Sequence, residues 1–389
     1  MMVGFLYYGR LEKEKWMDSL IEAIKILKKE KISCEFFIFG SWSLEKEILE
    51  LVSDKVHFFG RKPLSFIEKY LSNISYCLMP SEFLETFGLS ALNALSWWIP
   101  VVGYKKWGMQ NFVFWDCNLY TVRWKNTKER LISFIRMVCT FSEKELAEKK
   151  EAYQYQSLLL VDEFSKTQWY QHFLKLSKFP DGKGKILLVS DFINKVWGIE
   201  TYLYDVKEFL EQQGFEVILR WKHNSSWFFG KIQRYLGILL APFAFITKYQ
   251  FKKLLEKEQP DLIRFNSLLR RLWKGVVQEA KKYQKKRNKS VPLWMMYHDF
   301  GYFYPYPHRL YEVEQCRCPF SLRNFISQQK WIKRFFALIK YFLLKSLIKE
   351  LTKSISLHLV PSEFMREIVR DSYQLSETKI KAFPHGIQG

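Results

Sequence analysis

Pro80-Ser-Glu-Phe-Leu-Glu-Thr-Phe-Gly-Leu-Ser-Ala-Leu-Asn-Ala-Leu-Ser-Trp-Trp-Ile-Pro-Val-Val102 runs from the end of one strand to the start of the next. Pro80 closes an apolar run, an acidic turn follows, residues 88–97 carry helical spacing, and Pro100 leads into a β-branched strand. Glu85 stands just before the first helical turn, which holds Phe87, Gly88 and Leu89. A helix N-terminus leaves backbone N–H groups without intrahelical partners, and these attract anions. A carboxylate beside them accepts hydrogen bonds from hydroxyls. The turn therefore suits a phosphate joined to a sugar.

Outward from this stretch, strand-like runs at 2–9, 34–39, 56–59, 75–79 and 100–104 alternate with helical spacing at 14–29, 43–52, 64–72 and 88–97. That is the α/β pattern. Helical stretches near 126–140 and 163–178 follow, and Phe179-Pro-Asp-Gly-Lys-Gly-Lys185 is the strongest linker signal. The alternation then restarts with strand 185–190, helix 199–213, strand 215–220 and helical material to about 257. Strand 261–264, helix 267–286, strand 292–297, a basic helical region over 322–353, strand 356–360, helix 363–371 and strand 379–383 complete it. The expected organisation is two domains, 1–178 and 185–389, joined by a linker at 179–184.

A chain of 389 residues has room for two ordinary cores, and 48% apolar with 26% charged residues excludes a disordered chain. The six cysteines (Cys34, Cys77, Cys117, Cys139, Cys316 and Cys318) form no disulfide framework. Without a CxxC or a His pair beside them, no metal site is expected, and a reducing cytoplasm is the simpler setting. Met1-Met-Val-Gly-Phe5 lacks the basic and apolar regions of a signal peptide.

The formal charge of +21 calls for an anionic partner or surface. No recognition helix, zinc finger or RNP-like pattern accompanies it, so nucleic acid is not expected. Lys330 to Lys353 is basic and aromatic at helical spacing. Two readings are open: a segment lying on an anionic membrane face, or an ordinary domain helix with a solvated Lys/Arg side. Tyr235 to Ile246 is apolar but only about a dozen residues, too short to span a bilayer.

The motif at 80–102 resembles the donor-site signature of the retaining GT-B glycosyltransferases of group 1 (glycosyltransferase family 4). There the pattern is Glu, seven residues, Glu, then a Gly-x-Pro-Val-Val-like step; here Asn93 replaces the second Glu and Trp98 the Gly. The resemblance implies a GT-B fold, two Rossmann-like domains facing across a cleft, and transfer of a hexose from a UDP- or GDP-sugar with retention of configuration. No further cofactor is implied. Gly9-Arg10-Leu11 and Lys15 resemble the family's paired phosphate cations, a role that suits an Arg fork and a Lys point charge. Glu85 would accept from the donor sugar's hydroxyls, Asn93 would lie near the ribose, and Gly88, Leu89 and Gly40 would border the nucleotide. Asn93 offers a neutral, shorter side chain than Glu, so it reads either as an altered ribose contact or as a plain helix residue.

In the second half, Asp191 to Glu200 resembles the family's Gly-Gly-x-Glu loop, with Trp197 at the first Gly and Gly198 at the second. His298, in Met296-Tyr-His-Asp-Phe300, matches a histidine at the active-site mouth; the alternative is a structural histidine at a strand end. The family places the acceptor-side domain first, whereas here 1–178 looks like the donor side and 185–389 like the acceptor side. The chain is then one circularly permuted enzyme, with the break in an exposed interdomain link, or a piece of a tandem array.

Trp16, Trp42, Trp98, Trp107 and Trp197 all stand where the family has glycine. Random divergence would scatter over Ala, Ser and Asn, so one replacement type implies one cause. The expectation is UGA codons written here as tryptophan and decoded as glycine in the source organism. Trp294, in an apolar strand, reads as a true tryptophan. The functional expectation is a glycosyltransferase acting on a cell-envelope glycan or lipid-linked saccharide at the inner membrane face. The alternative is a catalytically impaired GT-B-like protein that binds membrane or glycan.

Overall fold

The computed structural model describes residues 2–81, 85–121, 126–177, 183–191, 198–221, 245–269, 272–287, 291–303 and 331–385, with positions 179 and 193. They form two compact units, one on Met1–Gln168 and one on Trp169–Pro307 with Gln315–His385.

In the first unit, β1 (Val3–Tyr8), β2 (Cys34–Phe39), β3 (Val56–Phe58), β4 (Tyr76–Met79) and β5 (Val101–Gly103) make a sheet in the order β3-β2-β1-β4-β5. Every pairing is parallel; β1 meets β2 from Val3↔Cys34 to Tyr8↔Phe39 and β4 at Phe5↔Tyr76. Near-continuous apolar strands are what a parallel sheet covered on both faces requires. The helix Met17–Lys29 buries Met17, Leu20, Ile21, Ala23, Ile24 and Leu27, a single apolar stripe at helical spacing. The strand order reverses between β1 and β4, and ligands of such sheets bind at the strand C-termini there.

The second unit holds β6 (Lys185–Ser190), β7 (Glu216–Arg220), β8 (Leu262–Ser267), β9 (Leu293–Met296), β10 (Leu357–Val360) and β11 (Ile380–Ala382). Their order is β11-β10-β9-β8-β6-β7, again all parallel, with the reversal between β6 and β8. The fold class is thus α/β with two Rossmann-like domains.

Three details refine the sequence expectation. The division between units lies at Gln168/Trp169, ahead of the 179–184 segment, because the helix Lys166–Ser177 packs on the second sheet. Trp169 stacks on Phe173 and meets Phe383 edge-on, while Phe173 meets Trp294. Linker residues 180–182 lie outside the described residues. A helix at Glu143–Glu163 was not expected; Ser142 and Glu145 close a capping box at its start. The basic segment forms the helix Trp331–Ser354, which buries Leu344, Leu347, Ile348 and Leu351. It ties to the helix Trp273–Lys286 through Lys274–Ser346 and Gln278–Glu350 hydrogen bonds. Among the described residues, no helix is long and apolar enough to cross a membrane.

Candidate functional site

Seven of the residues singled out in the sequence converge on the C-terminal edge of the first sheet, at the β1/β4 reversal. Gly9-Arg10-Leu11 leaves β1 and is zipped to the loop after β2. Gly9 N–H donates to the Phe39 carbonyl at 3.1 Å, Leu11 N–H to Ser41 at 3.2 Å, and Leu44 N–H to Leu11 at 3.1 Å. Gly40 permits this approach: at φ 149°, a Cβ there would fall 1.9 Å from the Gly9 carbonyl oxygen. Its demonstrable role is backbone packing beside Arg10.

Arg10 presents a partly exposed guanidinium, paired with Glu12 at 2.8 Å. The Tyr7 hydroxyl donates to the Arg10 carbonyl at 2.8 Å. Burial, followed by the nearby Glu85 carboxylate, pushes that phenol far above its ordinary value, so it stays neutral. Lys15, in the turn Lys13–Lys15, points its ammonium at Glu85 and forms an ion pair with it. Both side chains are about four-fifths buried, at 20% and 16% exposed.

Glu85 is held from behind. Its carbonyl accepts from Gly108 N–H at 3.1 Å. A Cβ at position 108 would lie 2.6 Å from the Glu85 oxygen and from Phe87 N, so only glycine fits. Gly88 then caps the helix Leu89–Ser96 from φ 92°, and a Cβ there would strike Met109 Sδ at 2.4 Å. With no capping side chain, this helix start presents its backbone donors and positive dipole end beside Glu85. Asn93 lies about one turn further on, and the Tyr8 hydroxyl bonds the Ser90 carbonyl at 2.6 Å with Asn93 as a second partner. Residues 82–84 of the motif lie outside the described residues.

The second unit carries its own cluster at the corresponding strand ends. His298, just beyond β9, is buried, with Nε2 3.4 Å from Asn266 Oδ1. It stacks on His385 at 5.4 Å and 7°, and Tyr202 meets both rings edge-on. Burial, reinforced by His385 and Arg264, holds His298 well below the usual imidazole value. Burial and then Arg264 hold His385 at about 3. Both rings are therefore neutral at pH 7 and act as hydrogen-bonding groups rather than cations. Gly198 opens the helix Gly198–Gln212, which presents Glu200 and Tyr202; Trp197 and positions 194–196 lie outside the described residues.

Arg264, His385 and Tyr202 were not singled out in the sequence. Arg264 is buried in β8, donates to the Tyr202 hydroxyl at 3.0 Å, and leaves Nε and Nη1 without partners among the described residues. Asp191, also fully buried, accepts from Leu272 N–H at 3.1 Å and Ser267 Oγ at 3.3 Å, which fixes the loop after β8.

Residues 4–115 match the family model described as glycosyl transferases group 1, and residues 196–388 match that of Glycosyltransferase Family 4. Each unit is thus similar to a glycosyltransferase family model. The group 1 match covers the Arg10, Lys15, Glu85 and Asn93 cluster; the Family 4 match covers His298, Arg264 and His385. No curated protein sequence matches the chain.

Among solved structures, the pneumococcal O-GlcNAc transferase in complex with UDP and GlcNAc aligns at 23% identity over 40% of this chain and 32% of its own, TM-score 0.33. The catalytic domain of the Helicobacter pylori cholesterol-alpha-glucosyltransferase aligns at 17% identity over 41% of this chain and 99% of its own, TM-score 0.34. Anabaena HepE in complex with UDP and glucose aligns at 16% identity over 46% of this chain and 48% of its own, TM-score 0.37. The chain spans about a third of the length of the first of these.

Proposed function

We propose that the chain transfers a sugar from a nucleoside diphosphate sugar to a saccharide or lipid-linked acceptor, with retention of configuration. The observation that carries this reading is the Lys15–Glu85 pair beside the uncapped helix start at Gly88, at the strand reversal where such sheets bind ligands. Arg10, Lys15 and the N–H groups from Leu89 onward would meet the diphosphate; Glu85 would accept from the sugar's hydroxyls. Asn93 would lie toward the ribose.

In the reaction the bond from the anomeric carbon to the phosphate oxygen breaks, and a bond to the acceptor oxygen forms. The acceptor's proton passes to the departing phosphate, so no protein base is needed. Two cations and a helix dipole stabilise the charge that develops on the leaving group. Neutral His298 would orient the sugar or acceptor by hydrogen bonding.

The order of the two matches, group 1 before Family 4, fits a circularly permuted enzyme and also a segment of a tandem array. Attachment to an anionic membrane face belongs to the same proposal. It is supported by exposed Phe245, Ile246 and Tyr249, by exposed Phe335 and Phe342, and by the charge of +21. Vesicle sedimentation across a salt series checks it, with binding that weakens as salt rises expected.

Titration with UDP and GDP tests the central claim. Saturable binding of one, weakened about tenfold or more by Lys15→Ala, is expected. Absence of binding by both, with glycine placed at positions 16, 42, 98, 107 and 197, would defeat it.

A further inference from the structure

Backbone with φ between about +20° and +160° is glycine's territory, because an L side chain there crowds its own neighbouring carbonyl. Among the described residues four glycines occupy it: Gly40, Gly60, Gly88 and Gly214. Five tryptophans occupy it as well: Trp16 at 57°, Trp42 at 150°, Trp98 at 60°, Trp107 at 53° and Trp273 at 43°. The other three non-glycine cases, Lys31, Gln259 and Gln374, follow the ends of helices, where a left-handed residue is common. A bulky aromatic residue in this region is an outlier. Tryptophan is therefore the most frequent side chain where it fits worst.

Each of the five performs a glycine's task. Trp98 stands one place past the cap of the helix Leu89–Ser96. Its N–H donates to the Leu95 carbonyl at 2.9 Å, and Ile99 N–H donates to Ala94 at 2.9 Å. That pair of bonds is the Schellman end, which glycine usually supplies. Trp16 starts the helix Met17–Lys29 from φ 57°, ψ 31°, directly after Lys15. Trp107 opens the turn whose Gly108 supports Glu85. Trp42 lies in the loop zipped to Leu11, and Trp273 starts the helix that follows β8.

The other tryptophans among the described residues show no such conflict. Trp97, Trp115, Trp169, Trp221, Trp294 and Trp331 all avoid positive φ, and Trp169 and Trp294 are buried in the second core. Trp16, Trp42, Trp98 and Trp107 are thus at least partly exposed and held in glycine conformations, whereas Trp273 combines a glycine conformation with a buried indole.

We propose that the protein made in its source organism has glycine at positions 16, 42, 98, 107 and 273, encoded by UGA codons that its translation machinery reads as glycine. UGA is the codon whose meaning differs between genetic codes, being read as stop, tryptophan or glycine. One reassigned codon accounts for a single replacement type at five unrelated turns. It also accounts for 17 glycines and 14 tryptophans in 389 residues, against a usual glycine share of ~7%. Trp273 enters on its backbone alone. The inference rests on backbone conformation and not on sugar transfer, but it bears on that reading: glycine at 16 and 107 removes two indoles from the segments flanking Lys15 and Glu85.

Two measurements test it. The first reads the gene's codons and sequences peptides of the protein isolated from its source by mass spectrometry. UGA codons with glycine in the peptides are expected; UGG codons, or tryptophan in the native peptides, overturn the proposal. The second compares thermal unfolding of the tryptophan chain with the combined Trp16→Gly, Trp42→Gly, Trp98→Gly and Trp107→Gly variant, leaving the buried Trp273 in place. The variant is expected to melt higher by on the order of 10 °C, whereas Trp294→Gly alone lowers the Tm. A combined variant that melts no higher overturns the proposal. Neither readout involves a nucleotide, so a failure to bind UDP would count against sugar transfer alone.

Discussion

Lys15 and Glu85, 70 residues apart in the chain, close an ion pair where the β1 and β4 loops meet. Lys15 carries three donors and Glu85 two acceptor oxygens, the chemistry that a phosphate and sugar hydroxyls respectively call for. A partly exposed pair of this kind contributes on the order of 1 kcal/mol to stability. Its weight in function is expected to exceed its weight in folding. Lys15→Ala should lower the Tm by only a few degrees yet weaken UDP binding by about tenfold or more, in line with ~1.5–3 kcal/mol for a charged hydrogen bond. Glu85→Gln should leave UDP affinity within a few-fold and reduce sugar transfer. Calorimetric titration beside a transfer assay separates the two; equal loss of UDP affinity in both variants would contradict these roles.

Gly108→Ala tests the support behind Glu85. The added methyl would meet the Glu85 carbonyl oxygen and Phe87 N at 2.6 Å. Backbone must shift, and a cost of about 1–3 kcal/mol is expected. Since the shift falls on the Glu85 segment, nucleotide-sugar turnover should drop further than the Tm loss alone explains. A variant with wild-type Tm and activity would show that the loop has slack.

Asn93→Glu restores a charged acceptor one helical turn beyond Ser90. Affinity for UDP should rise about tenfold, the worth of one charged hydrogen bond, while affinity for pyrophosphate should not change. Competition binding with the two ligands reads the difference. An equal effect on both would place Asn93 away from the ribose.

Acid should destabilise the second unit. Burial, with Lys379 in addition, holds His358 at about 3, burial and Arg264 hold His385 at about 3, and His298 is also depressed. These folded values lie below the unfolded value of about 6.5. Between the two, the unfolded chain binds protons that the folded chain refuses, so stability is full above about pH 6.5 and falls as pH drops toward 3. Each histidine steepens that slope by about 1.4 kcal/mol per pH unit. Urea unfolding from pH 7 to pH 4 should show it, and His385→Asn should flatten the slope by one histidine's share.

Much of the fold was legible because its signals are local. The apolar runs of β1, β2 and β6 and the Pro80–Val102 strand–turn–helix–strand unit carry their own spacing, and the observed elements follow them. The helix Glu143–Glu163 has no helical stripe to mark it in the sequence, because its apolar residues surround it. It buries Tyr153 and leaves Tyr155, Leu158 and Leu159 exposed, so no single stripe forms. Its capping box, Ser142 with Glu145, was the signal available. Arg264 reads as a polar end to an apolar run, so the strand was expected to stop there. Parallel pairing instead continues β8, on both sides to Phe265 and with β6 to Ser267, and buries the guanidinium against Tyr202.

The candidate site divides along the same line. Arg10, Lys15, Glu85, Gly88 and Asn93 were recognisable from short motifs, since each motif is a local device: a strand end, a turn, a helix start. That Lys15 meets Glu85, that Gly108 supports Glu85, and that Tyr7 lies beneath Arg10 depend on β1, β4 and β5 lying side by side. No spacing along the chain encodes such contacts. The tryptophans show the division most sharply. Motif comparison marked four of the five at positive φ, but Trp273 lies in no motif and was exposed only by its backbone angle. A left-handed residue costs roughly 1–3 kcal/mol, so five sum to the order of a domain's whole stability, about 5–15 kcal/mol. Residue identity is written in the sequence; the conformation that makes a residue tolerable or intolerable arises when distant segments pack.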